Sequence, residues 1–321
     1  MGSLKRTIRS ISEKPCSMPR NVQSLGEFGL INSVKKYQCP TSFVVHGIGD
    51  DAAVLQLDAG RYQLFTTDML IEGVHFTRHA PAKLVGHKAL ACNISDIAAM
   101  GGLPTCAVVS IGLSPKLTVR YVQDLYSGMS ALAAQFNVSI AGGDTVRSDK
   151  LVINIALLGE VEKKCLVLRS GAKPGDMIFV TGPLGNTLRS GKHLDFMPRI
   201  KEARFLVEYF RPTAMMDISD GLAGDLAHIL KASGVGALLE SDMIPINPGA
   251  TLASALTGGE DFELLFTIPS TCGKELIDYT KNQNRFSFIH VGTITGKAGK
   301  CLLKDRQGLI SPVVVKAYAH F

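Results

Sequence analysis

The chain has 321 residues, 46% of them hydrophobic and 19% charged. That is enough apolar material for a packed core and speaks against global disorder. Two domains are expected at this length, with one α/β domain as the alternative. The net charge of +6 is scattered, with no Lys/Arg stripe interleaved with aromatics. Nucleic acid is therefore not an expected partner, and mild attraction of small anions is the plainer consequence. The seven cysteines form no C-x-x-C pair. This suggests neither a zinc cluster nor a disulfide framework, and suits a reducing, cytoplasmic setting. No apolar stretch is long enough to span a bilayer, so no membrane association is expected.

In chain order, residues 1–24 are basic and contain Ser but lack a signal-peptide core, and read as a flexible extension. Phe28, Ile31 and Val34 predict a short helix over 25–37, stopped at Cys39-Pro40. Residues 44–57 read as strand, Gly-rich turn and strand, and 62–67 as a strand delivering Asp68. Residues 69–76, with Glu72, Gly73 and His75, read as loop. Pro81 opens a helix that ends at Met100 before Gly101-Gly102, with Leu90, Ile94, Ile97 and Ala98 on its buried face. Lys88, Cys92 and Asp96 recur every four residues, so Lys88 is expected to neutralise Asp96. A strand over 105–113, a helix over Val119–Phe136 and strands over 137–141 and 151–159 follow. Charged residues and Gly-Ala-Lys-Pro-Gly-Asp break the pattern over 160–174, which places a domain boundary there. Beyond it come a strand at 177–181, a helix at 200–210, a helix after Asp220 ending before Gly234, and strands at 263–268 and 286–292. This is an α+β half followed by an α/β half.

One stretch organises the rest. Gly47 and Gly49 lead into adjacent Asp50 and Asp51, and an apolar run follows. Two neighbouring carboxylates in an apolar setting need a cation. The grammar repeats at Thr66-Thr67-Asp68, at Asn93-Ile94-Ser95-Asp96, at Gly142-Gly143-Asp144, at Asp217-Ile218-Ser219-Asp220 and at Gly258-Gly259-Glu260-Asp261. A solvated face would mix Lys and Glu at helical spacing. These acids stand apart from basic residues, beside Gly, Ser and Thr, and together point to a multi-carboxylate metal site.

Each motif also has a plainer explanation. Gly47–Ala52 formally fits G-x-G-x-x-G/A, but a strand pattern follows where a dinucleotide fold needs a helix. The Gly142-Gly143-Asp144 segment reads either as an anion nest with a metal-holding Asp or as an ordinary hairpin turn. Ser219 or Asp220 could simply cap the following helix, which leaves Asp217 unexplained. A lone His such as His75 is more often structural than catalytic, and a lone Arg such as Arg169 is usually on the surface. No P-loop, kinase H-R-D, Ser-His-Asp or Cys-His pattern occurs. Phosphoryl transfer asks mainly for positioning and charge neutralisation. ATP-dependent transfer with several Mg²⁺ ions fits this residue set best.

The ordered blocks GEFGLI, GIGDDAAVL, TTDMLIEGVHF, HKALACNISDIAAMGG, AGGDTVR, RSGAKPGD, VTGPLG, MDISDGLAGDL and LTGGEDFELLF resemble the thiamine-monophosphate kinases. That family belongs to a superfamily that includes aminoimidazole ribonucleotide synthetase and selenophosphate synthetase. The resemblance implies direct in-line transfer of the ATP γ-phosphoryl group to thiamine monophosphate, with no covalent nucleophile on the enzyme. It implies Mg²⁺ ligands at Asp51, Thr66, Thr67, Asp68, Asp96, Asp144, Asp217 and Asp220, with Asp50 instead ordering its loop. It implies ATP contacts at Tyr126, Gly143, Asp144, Arg169 and Ser219, and thiamine-phosphate contacts at His75, Glu260 and Tyr318. The implied fold is a homodimer. An N-terminal mixed-sheet domain over 25–160 closes a barrel across the dimer, and a C-terminal α/β domain covers 161–321. Residues 1–24 match nothing in the family, and residues 187–211 form a short segment that would trim the lip of the substrate pocket. The alternatives are another superfamily activity or a non-catalytic ATP-binding scaffold. Cys16 and Cys39 lack the Gly-rich setting of a selenophosphate synthetase cysteine, and a scaffold would not need so many acids.

Overall fold

The computed structural model describes residues 21–39, 41–283 and 285–313. Residues 22–34 form helix α1 (Val22–Val34), followed by a 3-10 turn at Lys35–Tyr37. The helix starts earlier than its apolar spacing suggested because Asn21 caps it, accepting the Ser24 amide at 2.8 Å. Gly26 interrupts it with φ 64°. Residues 21–39 belong to one structural unit and 41–313 to a second. Most of the expected extension, residues 1–20, lies outside the described residues.

The second unit begins with β1 (Val44–His46), β2 (Ala53–Gln56), β3 (Arg61–Ile71), α2 (Ala82–Ala99), β4 (Leu103–Leu113), α3 (Val119–Phe136), β5 (Ser139–Arg147) and β6 (Val152–Glu162). These strands form one sheet in the order β1-β2-β3-β6-β4-β5, antiparallel except for the parallel β4–β5 pair. Strand β3 runs through Ile71, into the stretch expected to be loop, because β6 pairs with it residue for residue from Arg61 to Ile71. Its side chains alternate. Leu64, Thr66 and Leu70 are buried, whereas Phe65, Thr67 and Met69 are exposed.

Helix α2 is buried almost all round because it is covered on every side. It packs on β3 and β6, on α3, and on elements of the C-terminal half. The α2–α3 crossing is tight. A Cβ on Gly86 would lie 1.9 Å from the Leu125 carbonyl oxygen, so only glycine lets the two backbones approach this closely.

The C-terminal half contains β7 (Met177–Val180), α4 (Thr187–Ser190), α5 (Ile200–Phe205), β8 (Ala214–Asp217), α6 (Leu222–Ser233), β9 (Gly236–Glu240), α7 (Leu252–Thr257), β10 (Leu264–Ile268), α8 (Ser270–Asn282), β11 (Ile289–Thr295), β12 (Cys301–Lys304) and β13 (Ile310–Pro312). A π-helical turn, Leu206–Phe210, continues α5. The sheet order is β13-β12-β9-β11-β7-β10-β8, mixed and mostly antiparallel. Both faces are buried. Phe179, Met215 and Phe266 face the core shared with α2, while Ile178, Val180, Met216 and Leu265 face a second core under α6 and α7. This is why these strands read as unbroken apolar runs rather than alternating ones. The changeover between sheets falls between Glu162 and Met177.

Candidate functional site

Four elements deliver acids to the seam between the two sheets. Asp51 comes from the β1–β2 turn, Asp68 from β3, Asp96 from the end of α2 and Asp217 from the end of β8. One carboxylate oxygen each from Asp51, Asp96 and Asp217 lies within 4.8 Å of the others. Thr66, on the same face of β3 as Asp68, donates its hydroxyl to Asp96 Oδ2 and, at 3.3 Å, to the Asp51 carbonyl. Ser95 donates to Asp217 Oδ2 at 2.6 Å, and Asn93 Oδ1 accepts the Asp68 amide at 3.2 Å.

This crowding has an electrostatic signature. Burial, then the charge of Asp51, pushes Asp68 up to about 6, against the pull of Lys88. Burial and Asp51 push Asp217 up to about 7, although the Ser95 hydrogen bond works the other way. Burial and the charges of Asp68, Asp217 and Asp51 push Asp96 well above the carboxylate range.

Arg169 is the main cation here. Its guanidinium donates to Asp51 Oδ1 at 2.5 Å, and its backbone N–H donates to the Asp50 carboxylate at 3.1 Å. Asp50 also accepts the Asp51 amide. Asp50 therefore ties the Gly-rich turn to the 168–171 segment, the loop-ordering role expected of it.

The other oxygen of Asp51, Oδ2, is buried with no hydrogen-bond partner. A buried carboxylate oxygen without a donor costs free energy unless a cation meets it. The converging donors are all oxygens, the set that Mg²⁺ takes. The residues present therefore fit Mg²⁺. Asp51, Asp96 and Asp217 would hold it, with Asp68 beside them.

A pH signature follows. Asp68 and Asp217 have folded values near 6 and 7, against about 3.9 unfolded. Such raised groups stabilise the metal-free fold below about pH 4, and that contribution is lost as pH rises through 6 to 7. A metal replaces those protons. The gain in Tm from adding Mg²⁺ to chelator-treated protein is therefore expected to widen from pH 5 to pH 8, as read by scanning calorimetry. A constant gain across that range would contradict the assignment.

Asp220 falls in a neighbouring group. One ligating atom each from Asp220, Asp225 and His228 lies within 4.8 Å of the others, at the start of α6. Asp225 is buried and accepts the Asp220 amide at 3.0 Å. Burial, then Arg169 and Lys231, pushes His228 down to about 4, so it is neutral. The simple capping role for Ser219 or Asp220 does not hold, because Gly221 occupies the cap position and no side chain caps the helix.

Two turns before Asp96 on α2, Lys88 is fully buried. It does not neutralise Asp96. Its ammonium donates to both Glu260 carboxylate oxygens at 2.7 Å and to the His75 carbonyl at 2.7 Å. The four-residue stripe places Lys88 and Asp96 two turns apart, too far along the helix for a direct pair, and Glu260 is nearer. His193 Nδ1 lies 2.9 Å from Glu260 Oε2. Burial pushes Glu260 up, but the His193 hydrogen bond and the Lys88 charge outweigh it and hold the carboxylate below its usual value. The ring of His75 faces its own turn, Nδ1 accepting the Ile71 amide at 3.0 Å.

Other expected residues sit elsewhere. The Thr67 side chain is on the opposite face of β3 from Thr66 and donates to Asn154 Oδ1 at 3.2 Å. Gly143 and Asp144 lie within strand β5, not in a turn, and are exposed. Gly143 has φ 156°, and a Cβ there would lie 1.7 Å from the Val109 carbonyl oxygen, so close strand approach demands the glycine. Tyr126 packs against the core from α3, and the Ser219 carbonyl accepts the Glu260 amide at 2.7 Å. Tyr318 lies outside the described residues. Sequence reasoning missed His193, which no motif announces. It also missed Ser95, Asp225 and His228, which lie inside or just beyond motifs already marked out for their aspartates.

Models of the AIR synthase related protein family match this architecture, the N-terminal domain over residues 49–161 and the C-terminal domain over 173–299. A thiamine-monophosphate kinase of Bacillus subtilis (strain 168) is 38% identical over 328 residues, covering 92% of this chain and 100% of that one. One of Aquifex aeolicus (strain VF5) is 36% identical, covering 81% of this chain and 91% of its own. The solved structure of AaThiL complexed with AMPPCP and TMP is 32% identical, with a TM-score of 0.82 over 95% of this chain and 100% of that chain. Hydrogenase maturation protein HypE in complex with ATP, 18% identical with a TM-score of 0.67 over 88% of this chain and 91% of that one, shares the fold. The chain belongs to the thiamine-monophosphate kinase family.

Proposed function

We propose that the protein transfers the γ-phosphoryl group of ATP to the phosphate of thiamine monophosphate, releasing thiamine diphosphate and ADP. The observation that carries this reading is the meeting of Asp51, Asp96 and Asp217 at one point, with Asp51 Oδ2 left for a cation, in a chain of this family. A relative of the same fold was solved with AMPPCP, a non-hydrolysable ATP analogue, and TMP, in this family thiamine monophosphate.

In the transfer, an oxygen of the acceptor phosphate bonds to the γ-phosphorus as the bond to the β–γ bridging oxygen breaks. No side chain is phosphorylated. Magnesium ions bound at the acids would offset the repulsion between the two phosphate-bearing substrates. The protein's own part is to hold those acids in place. Thr66 and Ser95 orient Asp96 and Asp217, and Arg169 fixes Asp51. We assign Arg169, Ser219, Gly143, Asp144 and Tyr126 to the nucleotide and His75, Glu260 and Tyr318 to the acceptor. Asp68, Asp220 and Thr66 complete the metal-binding set, and Thr67 and Asp144 keep the ligand role that the family implies, outside the Asp51–Asp96–Asp217 cluster. The exposed length of β5, at the sheet edge, is proposed to pair two copies into a homodimer with a shared barrel. The described cysteines are all free, which supports work in the cytoplasm. Among the described residues no helix is long and apolar enough to cross a membrane.

Purified protein given ATP, Mg²⁺ and thiamine monophosphate is expected to form thiamine diphosphate, detected by chromatography. No product, with ATP still bound in calorimetry, would reject the reading. A non-catalytic scaffold would bind ATP and not thiamine phosphate.

A further inference from the structure

Lys88 is a buried cation that the transfer chemistry does not use. Its three N–H bonds point at the His75 carbonyl and the two oxygens of Glu260. His193 Nδ1, 3.0 Å from the ammonium, is then left to donate to Glu260 Oε2. Glu260 itself has φ 65°, a backbone state that a residue with a Cβ rarely adopts unless its surroundings impose it. Its amide is held by the Ser219 carbonyl, two residues from Asp217, and the Phe262 amide by the Ile218 carbonyl. The 258–262 loop is thus anchored through its backbone to the C-terminal half and through one carboxylate to a helix of the N-terminal half. The same helix carries Asp96, eight residues on, a rigid span of about 12 Å along the axis.

We propose that Lys88 is a positioning residue for the acceptor. It clamps Glu260 across the seam and holds the His75 turn, so that both present a fixed surface at a fixed distance from the metal-binding acids. This deepens the proposed function and rests on it for the identity of the acceptor, a cationic thiazolium phosphate. The clamp itself is a statement about two protein segments and needs no ligand.

Two variants test it. Lys88→Met alone strands the Glu260 carboxylate, whereas Lys88→Met/Glu260→Gln removes the clamp without leaving a buried charge. In the double variant, amides of residues 71–76 and 258–262 are expected to exchange with solvent about tenfold faster than in wild type, with α3 unchanged. Unchanged protection in both segments overturns the proposal. In steady-state kinetics Lys88→Met is expected to raise KM for thiamine monophosphate about tenfold and KM for ATP by less than about threefold. In the Glu260→Gln background the same substitution should add less than about threefold, because Lys88 acts through Glu260. Equal rises in both KM values, or full additivity, would mean that Lys88 merely supports the fold. Wild-type protein that turns over no thiamine monophosphate defeats the acceptor assignment instead, while the exchange measurement still decides the clamp.

Discussion

Asp96→Asn is expected to lower turnover by about a thousandfold, the scale of losing one preorganised electrostatic group in an active site, while the metal-free protein melts at a higher temperature than wild type. The two effects share one cause. Asp96 stands among Asp51, Asp68 and Asp217, and burial and those charges push its carboxyl far above the usual range. The asparagine keeps the shape and an oxygen to accept the Thr66 hydroxyl, yet carries no charge. Repulsion in the empty cluster falls, and so does the pull on a divalent cation. Turnover assays with saturating Mg²⁺ and a melt in chelator measure the two sides. Turnover within about tenfold of wild type would show that the acid is not part of the reacting site. A lower apo melting temperature would show that Asp96 serves the fold instead.

Glu263→Ala is expected to destabilise the protein by about 3 kcal/mol, a fall in Tm of roughly 4–5 °C for a chain of this size. Glu263 is completely buried. It receives Arg199 Nε at 2.7 Å and Arg199 Nη2 at 2.6 Å as a two-pronged pair. The Thr181 hydroxyl donates at 2.8 Å, and Lys192 lies at 3.5 Å. Truncation leaves two cations facing each other beside a hydroxyl with no acceptor. Arg199 is 28% exposed, so water recovers part of its solvation, which keeps the expected loss at the low end for a broken buried pair. Glu263→Gln, which keeps the volume and one accepting oxygen but turns the other acceptor into a donor, should lose less. Denaturant midpoints compare the three proteins, and a Glu263→Ala midpoint matching wild type would show that the pair contributes nothing net.

Much of the site was legible because its residues come in motifs with a local meaning. Adjacent Asp50 and Asp51 in an apolar stretch cannot be explained without a compensating group nearby, and the structure supplies Arg169 to both. Helix α3 matches its apolar spacing end to end, and the buried face of α2 was readable from Leu90, Ile94, Ile97 and Ala98. Residues 142–145 were not. Two glycines before an aspartate look the same whether the chain turns or runs straight, and only the approach of the Val109 carbonyl distinguishes them. Thr66 and Thr67 were equally ambiguous. A strand sends neighbours to opposite faces, and β6 had to pair with β3 before it was settled which face meets the acids.

The sequence by itself determined the main helices and strands of the N-terminal half and marked out the acids Asp51, Asp96 and Asp217 that the fold brings together, because periodicity and charge clustering act over a few residues. Only the tertiary structure decided the partners. Lys88 sits on the stripe of Asp96 yet bonds Glu260, 172 residues away, and His193 joins them from a segment with no motif at all. A buried ammonium goes to whichever carboxylate the packing brings within reach, and that choice is made by two sheets closing on one helix, a distance that no local spacing encodes.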